Sequence, residues 1–333
     1  MKLSMIIAVG LLSWIIVYSK QHTKKMSFEV VHKVYVMPVQ HSSHQPSPCI
    51  QFKNHNNSYK CSVMTLDELI TIDNNNTGSI IYKLLYIVFL PGTHFVNQTL
   101  NCLWPGKPSH NVTFIGKGNV TVVCKSMFSF QFVQIEYMAM SNIHFKNCSG
   151  QFRTTIEITS NTSSSIILFV EIQITGKNST GIRVNFNKGE KLGRTKQSFN
   201  LINSIISTGN TGVHVLDSEH FKQRYYKVIY TVNITNTLLH RSCLVLNSTK
   251  KSKGKRYKYN VVNATFAGCT CSPVLSIGHH IKVKLNDVIV NGTQSEYVMH
   301  TSSSSLLMQG HCYFYNNKGT IVITSSSSMN ISI

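Results

Sequence analysis

The stretch NIHFKNCSG at 142–150 ends a strand-like run in a polar turn, and its pattern returns as NSIISTGNTG from Asn203, NTLLHRSC from Asn236, NATFAGCTC from Asn263 and NDVIVNGT from Asn286. Asn stands first and an apolar residue fourth in each. Taking the fourth residue as an anchor gives Phe114, Phe145, Ile174, Ile206, Leu239, Phe266, Ile289 and Phe314, separated by 31, 29, 32, 33, 27, 23 and 25 residues. A short strand recurring at such intervals, with insertions of variable length between, is the signature of a solenoid. The segments around the anchors, among them IILFVEIQI (166–174) and IKVKLNDVIV (281–290), are β-branched and largely alternate apolar with polar, so the repeating unit is made of strands. An antiparallel sandwich also uses many short strands, but it does not ask for one side chain at one place in each. The expected fold is all-β, a right-handed parallel β-helix whose anchors stack as a single apolar ladder at about 4.8 Å per rung.

The first-place Asn then has two readings. Asn111, Asn142, Asn203, Asn236, Asn263 and Asn286 would lie in register, with Glu171 breaking the row. Stacked amides can hydrogen-bond from rung to rung, or Asn can simply suit a tight turn. On the first reading the amides are buried, which would keep the sequons at Asn111 and Asn263 free of glycan.

Lys2 followed by the apolar run Met5–Tyr18 and the small-residue site Val17-Tyr18-Ser19 predicts a secretory signal peptide over 1–19. The run is shorter than the roughly twenty residues that span a bilayer. Thirteen Asn-x-Ser/Thr sequons and nine cysteines agree with a secreted, extracellular glycoprotein. Asn56, Asn97, Asn178 and Asn247 are the glycosylation candidates. Residues 20–85 are expected to form an N-terminal segment and cap, and 86–333 the coils. The cap is anchored by TLDELI (65–70), where Thr65 and Glu68 have the spacing of a capping box that opens a short helix. Such a helix covers the open end of a solenoid core. At the other end the chain stops within TIVITSSSSMNISI, in mid-coil, so either it continues in a longer protein or its last rung docks on a protein partner.

TLDELI, FLPGTHF (89–95), NVTFIGKGNVTVVC (111–124) and NIHFKNC together resemble the start of the right-handed parallel β-helix domains in large secreted proteins of marine invertebrates, within the pectate-lyase-like superfamily. The likeness covers roughly residues 45–323 and is specific in its N-terminal third. It implies fold and secretion more directly than activity.

Pectate-lyase-like enzymes need several carboxylates in one cleft, whereas this chain has only four Asp and eight Glu. Asp67 and Glu68 belong to the cap, and Asp73, Asp217 and Asp287 sit at unrelated points of their coils. In VHVLDSEH, His214 and Asp217 would face opposite ways on a strand, so with Glu219 and His220 they read as a solvated turn; His279-His280 reads likewise. No catalytic, metal or cofactor residues are assigned, and a polysaccharide lyase or glycoside hydrolase is the alternative to a binding or structural module. Among the cysteines, Cys102 and Cys124 are about one coil apart, Cys243 and Cys269 follow consecutive anchors within the 5–6 Å Cα reach of a disulfide, and Cys49 and Cys61 can staple the cap. Cys148 is left as the odd thiol.

The formal net charge of +20 is unevenly placed. Thirteen Lys and Arg fall in three segments: Lys188, Lys191, Arg194 and Lys196; Lys222, Arg224 and Lys227; and Lys250, Lys251, Lys253, Lys255, Arg256 and Lys258. These segments begin 14, 16 and 11 residues after their anchors, so they are insertions at one phase and should emerge on one face. A stacked basic ridge suits a polyanion. Outside the cell that means acidic or sulfated polysaccharide, or an anionic membrane surface; solubility alone is the competing explanation. Nucleic acid is not expected as a partner, since only Tyr225, Tyr226, Tyr257 and Tyr259 offer stacking surfaces.

Overall fold

The computed structural model describes residues 31–38, 59–69, 84–97, 111–125, 128–133, 135–149, 154–160, 164–186, 195–217, 228–248, 255–278, 281–301, 305–323 and 328–332. They form a parallel β-helix of two sheets, one with 19 described strands and one with eight. Among the described residues every strand pairing is parallel, and from residue 84 onward each coil stacks on the one before it in chain order, as in the run Thr195–Ile202, Val228–Thr235 and Lys255–Val262.

Each central coil contains three strands. A long strand such as Val228–Thr235 turns at two residues into a short one, Leu238–His240, and a second turn leads to a strand of the eight-stranded sheet, Cys243–Ser248. Alternation sends every second side chain inward. Phe114, Met140, Phe169, Leu201, Ile234, Val261, Leu285 and Met308 make one continuous inward row along the long strands. Ile156, Ile182, Val213, Leu244, Leu275 and Met299 make another on the opposite sheet. All of these are buried.

The anchor ladder exists, with two corrections. Val122, Phe145, Ile174, Ile206, Leu239, Phe266, Val290 and Phe314 pair in register along the short strands. Phe114 belongs to the long-strand row instead, because the turn at Gly118 comes after it. In the NDVIV coil the turn residue is Asp287 rather than Asn286, which moves the anchor from Ile289 to Val290.

The turn residues explain the recurring Asn. Asn142, Glu171, Asn203, Asn236, Asn263 and Asp287 all have positive φ, between 50° and 56°. That left-handed conformation is one Asn and Asp tolerate better than most residues. Rung-to-rung bonding is present as well: Asn236 Nδ2 donates to Asn203 Oδ1 at 3.1 Å and Asn263 Nδ2 to Asn236 Oδ1 at 2.8 Å. Glu171, Asn203, Asn236 and Asn263 are exposed, and Asn142 and Asp287 half-buried, because the turn projects its side chains outward. Asn111 lies outside it, at the start of a strand opposite Tyr137. Burial therefore gives no ground for leaving Asn263 unmodified.

At the N-terminal end the order of rungs departs from the order of the chain. Val31–Met37 lies between Tyr59–Thr65 and Leu84–Phe89 and pairs with both. The cap helix follows at 66–69. Its capping box is reciprocal: the Thr65 N–H donates to Glu68 Oε2 at 2.7 Å, and the Glu68 N–H to Thr65 Oγ1 at 3.3 Å. Thr65→Ala should cost about 1 kcal/mol in denaturant unfolding, and Thr65→Ser should recover most of it.

Among the described residues two disulfides join adjacent coils, Cys124–Cys148 with Cα atoms 4.9 Å apart and Cys243–Cys271 with Cα atoms 6.2 Å apart. Cys148 is thus bonded rather than odd, and takes the place expected of Cys102, which lies outside the described residues. Cys271 takes the place expected of Cys269. The thiol of Cys269 points into the core and donates to the Ser242 carbonyl at 3.0 Å; burial pushes it up to about 11. Cys49 lies outside the described residues, as does the side chain of Cys61.

Candidate polyanion-binding surface

The geometry of one corner is set by strand register. Phe186, Asp217 and Ser248 pair where three consecutive strands of the eight-stranded sheet end, and Thr195, Val228 and Lys255 pair where the next long strands begin. Between these two aligned rows run the segments 187–194, 218–227 and 249–254, so the three basic insertions leave and return at the same two places on successive rungs. The coils on either side span this corner with only 161–163 and 278–281. The described residues that flank the three insertions therefore span two rung intervals, about 10 Å along the axis.

Lys188, Lys191, Arg194, Lys222, Arg224, Lys227, Lys250, Lys251 and Lys253 lie outside the described residues. Lys255 and Arg256 begin the strand Lys255–Val262, with side chains that are not described. Lys196 and Lys258 are exposed on the outer face of their long strands.

Beneath this corner the core carries an unexpected polar group. Asp217 is fully buried, and its Oδ2 accepts a 2.6 Å hydrogen bond from the Tyr257 hydroxyl on the long strand Lys255–Val262. Tyr257 stacks on Tyr230 at 5.2 Å, with Phe186 and Tyr259 alongside. Burial, reinforced by the charge of Asp217, pushes the Tyr259 hydroxyl far above the ordinary tyrosine range. Tyr257 and Tyr259 thus face inward and offer no platform for stacked bases; Tyr225 and Tyr226 lie outside the described residues.

The outer face of the eight-stranded sheet carries a row that sequence reasoning missed. Glu157, Arg183 and His214 point outward from successive rungs. Arg183 Nη1 lies 3.9 Å from Glu157 Oε1, which also accepts from Asn185 Nδ2 at 3.3 Å. The signal was the alternation within TTIEITS, TGIRVNF and TGVHVLD, legible only once the three strands are aligned. His214 and Asp217 face opposite ways as expected, while Glu219, His220, His279 and His280 lie outside the described residues.

Burial, and then the charge of Arg183, holds His214 below the ordinary histidine value of 6.5. Burial likewise lowers His94 and His144. A depressed histidine stays neutral in the fold while the unfolded chain takes up protons. The associated stability is therefore complete above pH 6.5 and is lost as pH falls through the lowered folded values. The urea midpoint should drop between pH 7.5 and pH 5.5, and His94→Gln should flatten that drop; an unchanged midpoint in the parent protein would contradict the burial of these rings.

Among the glycosylation candidates, Asn178 is exposed in a left-handed turn. Asn97 is engaged, its Nδ2 donating to Asp67 Oδ2 at 2.6 Å. Asn247 is half-buried against Gly278, and Asn56 lies outside the described residues. Among the described residues there is no cluster of three or more His, Cys, Asp or Glu placed to hold a metal, and no helix long and apolar enough to cross a membrane. No family model, curated protein or solved structure matches the chain.

Proposed function

We propose that the protein is a secreted glycoprotein of the pectate-lyase-like β-helix class that binds acidic or sulfated polysaccharide at the basic corner. The observation carrying this reading is the register of the strands that flank the three basic segments, whose ends fall on the same two rows of successive rungs. Each cationic contact with a sulfate or carboxylate releases counterions, so binding should be steeply salt-dependent.

The test is elution from a heparin column. Replacing Lys250, Lys251, Lys253, Lys255 and Arg256 with Ser should lower the elution salt sharply. An equal number of Lys/Arg→Ser changes on other coil faces should lower it only modestly, with melting temperature nearly unchanged because exposed charges contribute little to folding. Equal shifts from both sets would mean that net charge alone is at work.

A second reading, polysaccharide cleavage, draws on Glu157, Arg183 and His214. A carboxylate, a guanidinium and a neutral imidazole on adjoining rungs are groups that acid–base chemistry can use. Incubation with acidic polysaccharides should then release unsaturated products or new reducing ends, abolished by Glu157→Gln. Their absence from the unmutated protein would leave binding as the role.

A further inference from the structure

We propose that the long-strand face beside the corner, at Lys258, Lys282 and Lys284, holds one stretch of an anionic polysaccharide lying along the helix axis. This rests on the binding role above, but places contacts on strand residues, two of them in a coil that has no basic insertion.

Tyr259 pairs with Val283 and Asn260 with Lys284. The same register sets Lys258 beside Lys282 on the outer face, about 4.8 Å apart at the backbone, with Lys284 about 6.6 Å further along its strand. Lys258 and Lys282 are exposed and Lys284 is half-buried. Like charges directly opposite one another on a sheet oppose folding. Among the described residues no carboxylate lies within ion-pair distance of these three, and the ion pair of Arg183 with Glu157 is on the other sheet. Asp287, on the turn that follows, is occupied by the Asn286 amide and the His311 N–H. The cluster therefore costs stability that an anion laid across it would return.

The strip beside the cations is suited to sugar oxygens. Asn260 Nδ2 donates to Asn233 Oδ1 at 2.8 Å, and Asn233 Nδ2 to Asn200 Oδ1 at 2.7 Å, forming a second amide ladder in line with Lys284. Asn260 and Asn233 each spend one N–H within the ladder, Asn200 spends one on the Ile167 carbonyl at 3.4 Å, and each amide keeps another. The face thus presents donors at rung spacing next to three ammonium groups. The aromatic residues of these strands point inward, which favours a polysaccharide over single-stranded nucleic acid.

The experiment uses the purified full chain and a fluorescent heparin oligosaccharide, with affinity measured across salt concentrations. Lys258→Ser/Lys282→Ser/Lys284→Ser should weaken binding at least tenfold near physiological salt and reduce the slope of log affinity against log salt by about two to three. Lys146→Ser/Lys177→Ser/Lys318→Ser, the same change in charge at exposed sites elsewhere, should leave the slope nearly intact. The melting temperature of the first variant should hold or rise, since repulsion is removed. Loss in an insertion variant, Lys250→Ser/Lys251→Ser/Lys253→Ser, with none in the face variant would overturn this inference and leave the basic-corner reading standing. Loss in the face variant alone would support the inference and remove the insertions from the site. Equal losses in all three, or none, would overturn both. Polygalacturonate in place of heparin separates carboxylate from sulfate as the bound group. Vesicles of phosphatidylserine that bind through these lysines when neither glycan does would overturn the choice of partner.

Discussion

Phe145→Ala and Phe266→Ala should each lower the unfolding free energy by about 3–5 kcal/mol, the usual range for deleting a core aromatic. Both rings are almost fully buried, and Phe145 packs edge-on to Phe130 at 5.1 Å across the core. In a solenoid a missing ring leaves a gap between two rungs that the neighbouring coils cannot close without shifting their own ladder bonds. The companion pair Val290→Ala and Ile289→Ala checks the register. Val290 is fully buried and Ile289 is not, so the first should cost clearly more than the second. Equal costs would mean that the anchor is misplaced. Denaturant titration measures all four, and near-zero loss at both phenylalanines would refute the ladder.

Removing the Cys124–Cys148 bond should cost about 3 kcal/mol in the chain-entropy account, because it closes a loop of 24 residues. The double variant Cys124→Ala/Cys148→Ala should show this loss at the denaturant midpoint, and the oxidised protein should yield a crosslinked peptide pair containing both residues. A crosslink from Cys124 to Cys102 would contradict the structure. Because both sulfurs lie in the core cluster, part of the loss will be packing, which Cys124→Val/Cys148→Ala helps to separate.

Strand character, parallel stacking and the left-handed turn could be read from residues, because a β-helix repeats the same local demand on every coil. Asn at 142, 203, 236 and 263 meets one backbone requirement six rungs running, with Glu171 and Asp287 filling the remaining places. The register was less legible where two residues competed for one role. Asn286 and Asp287 both suit a turn, and only pairing across rungs decides between them. Disulfides failed for a related reason. Counting residues from an anchor locates a rung but not the inward or outward side of a corner, so Cys269 and Cys271 are indistinguishable by spacing although one faces the core. Lys282 and Lys284 escaped notice because they stand on a strand with no insertion; their relation to Lys258 arises only when two coils are laid side by side. Asp217 was read as part of a solvated turn, since its burial depends on Tyr257, forty residues away.

The strand Val31–Met37 emerges from the ribosome before either of the strands it lies between. Its first partner is complete only at Thr65, and its second only once the chain has been made through Phe89. Removing the chain up to residue 37 would accordingly take out a middle plank and leave Tyr59–Thr65, with its cap helix, facing Leu84–Phe89 across a gap one strand wide.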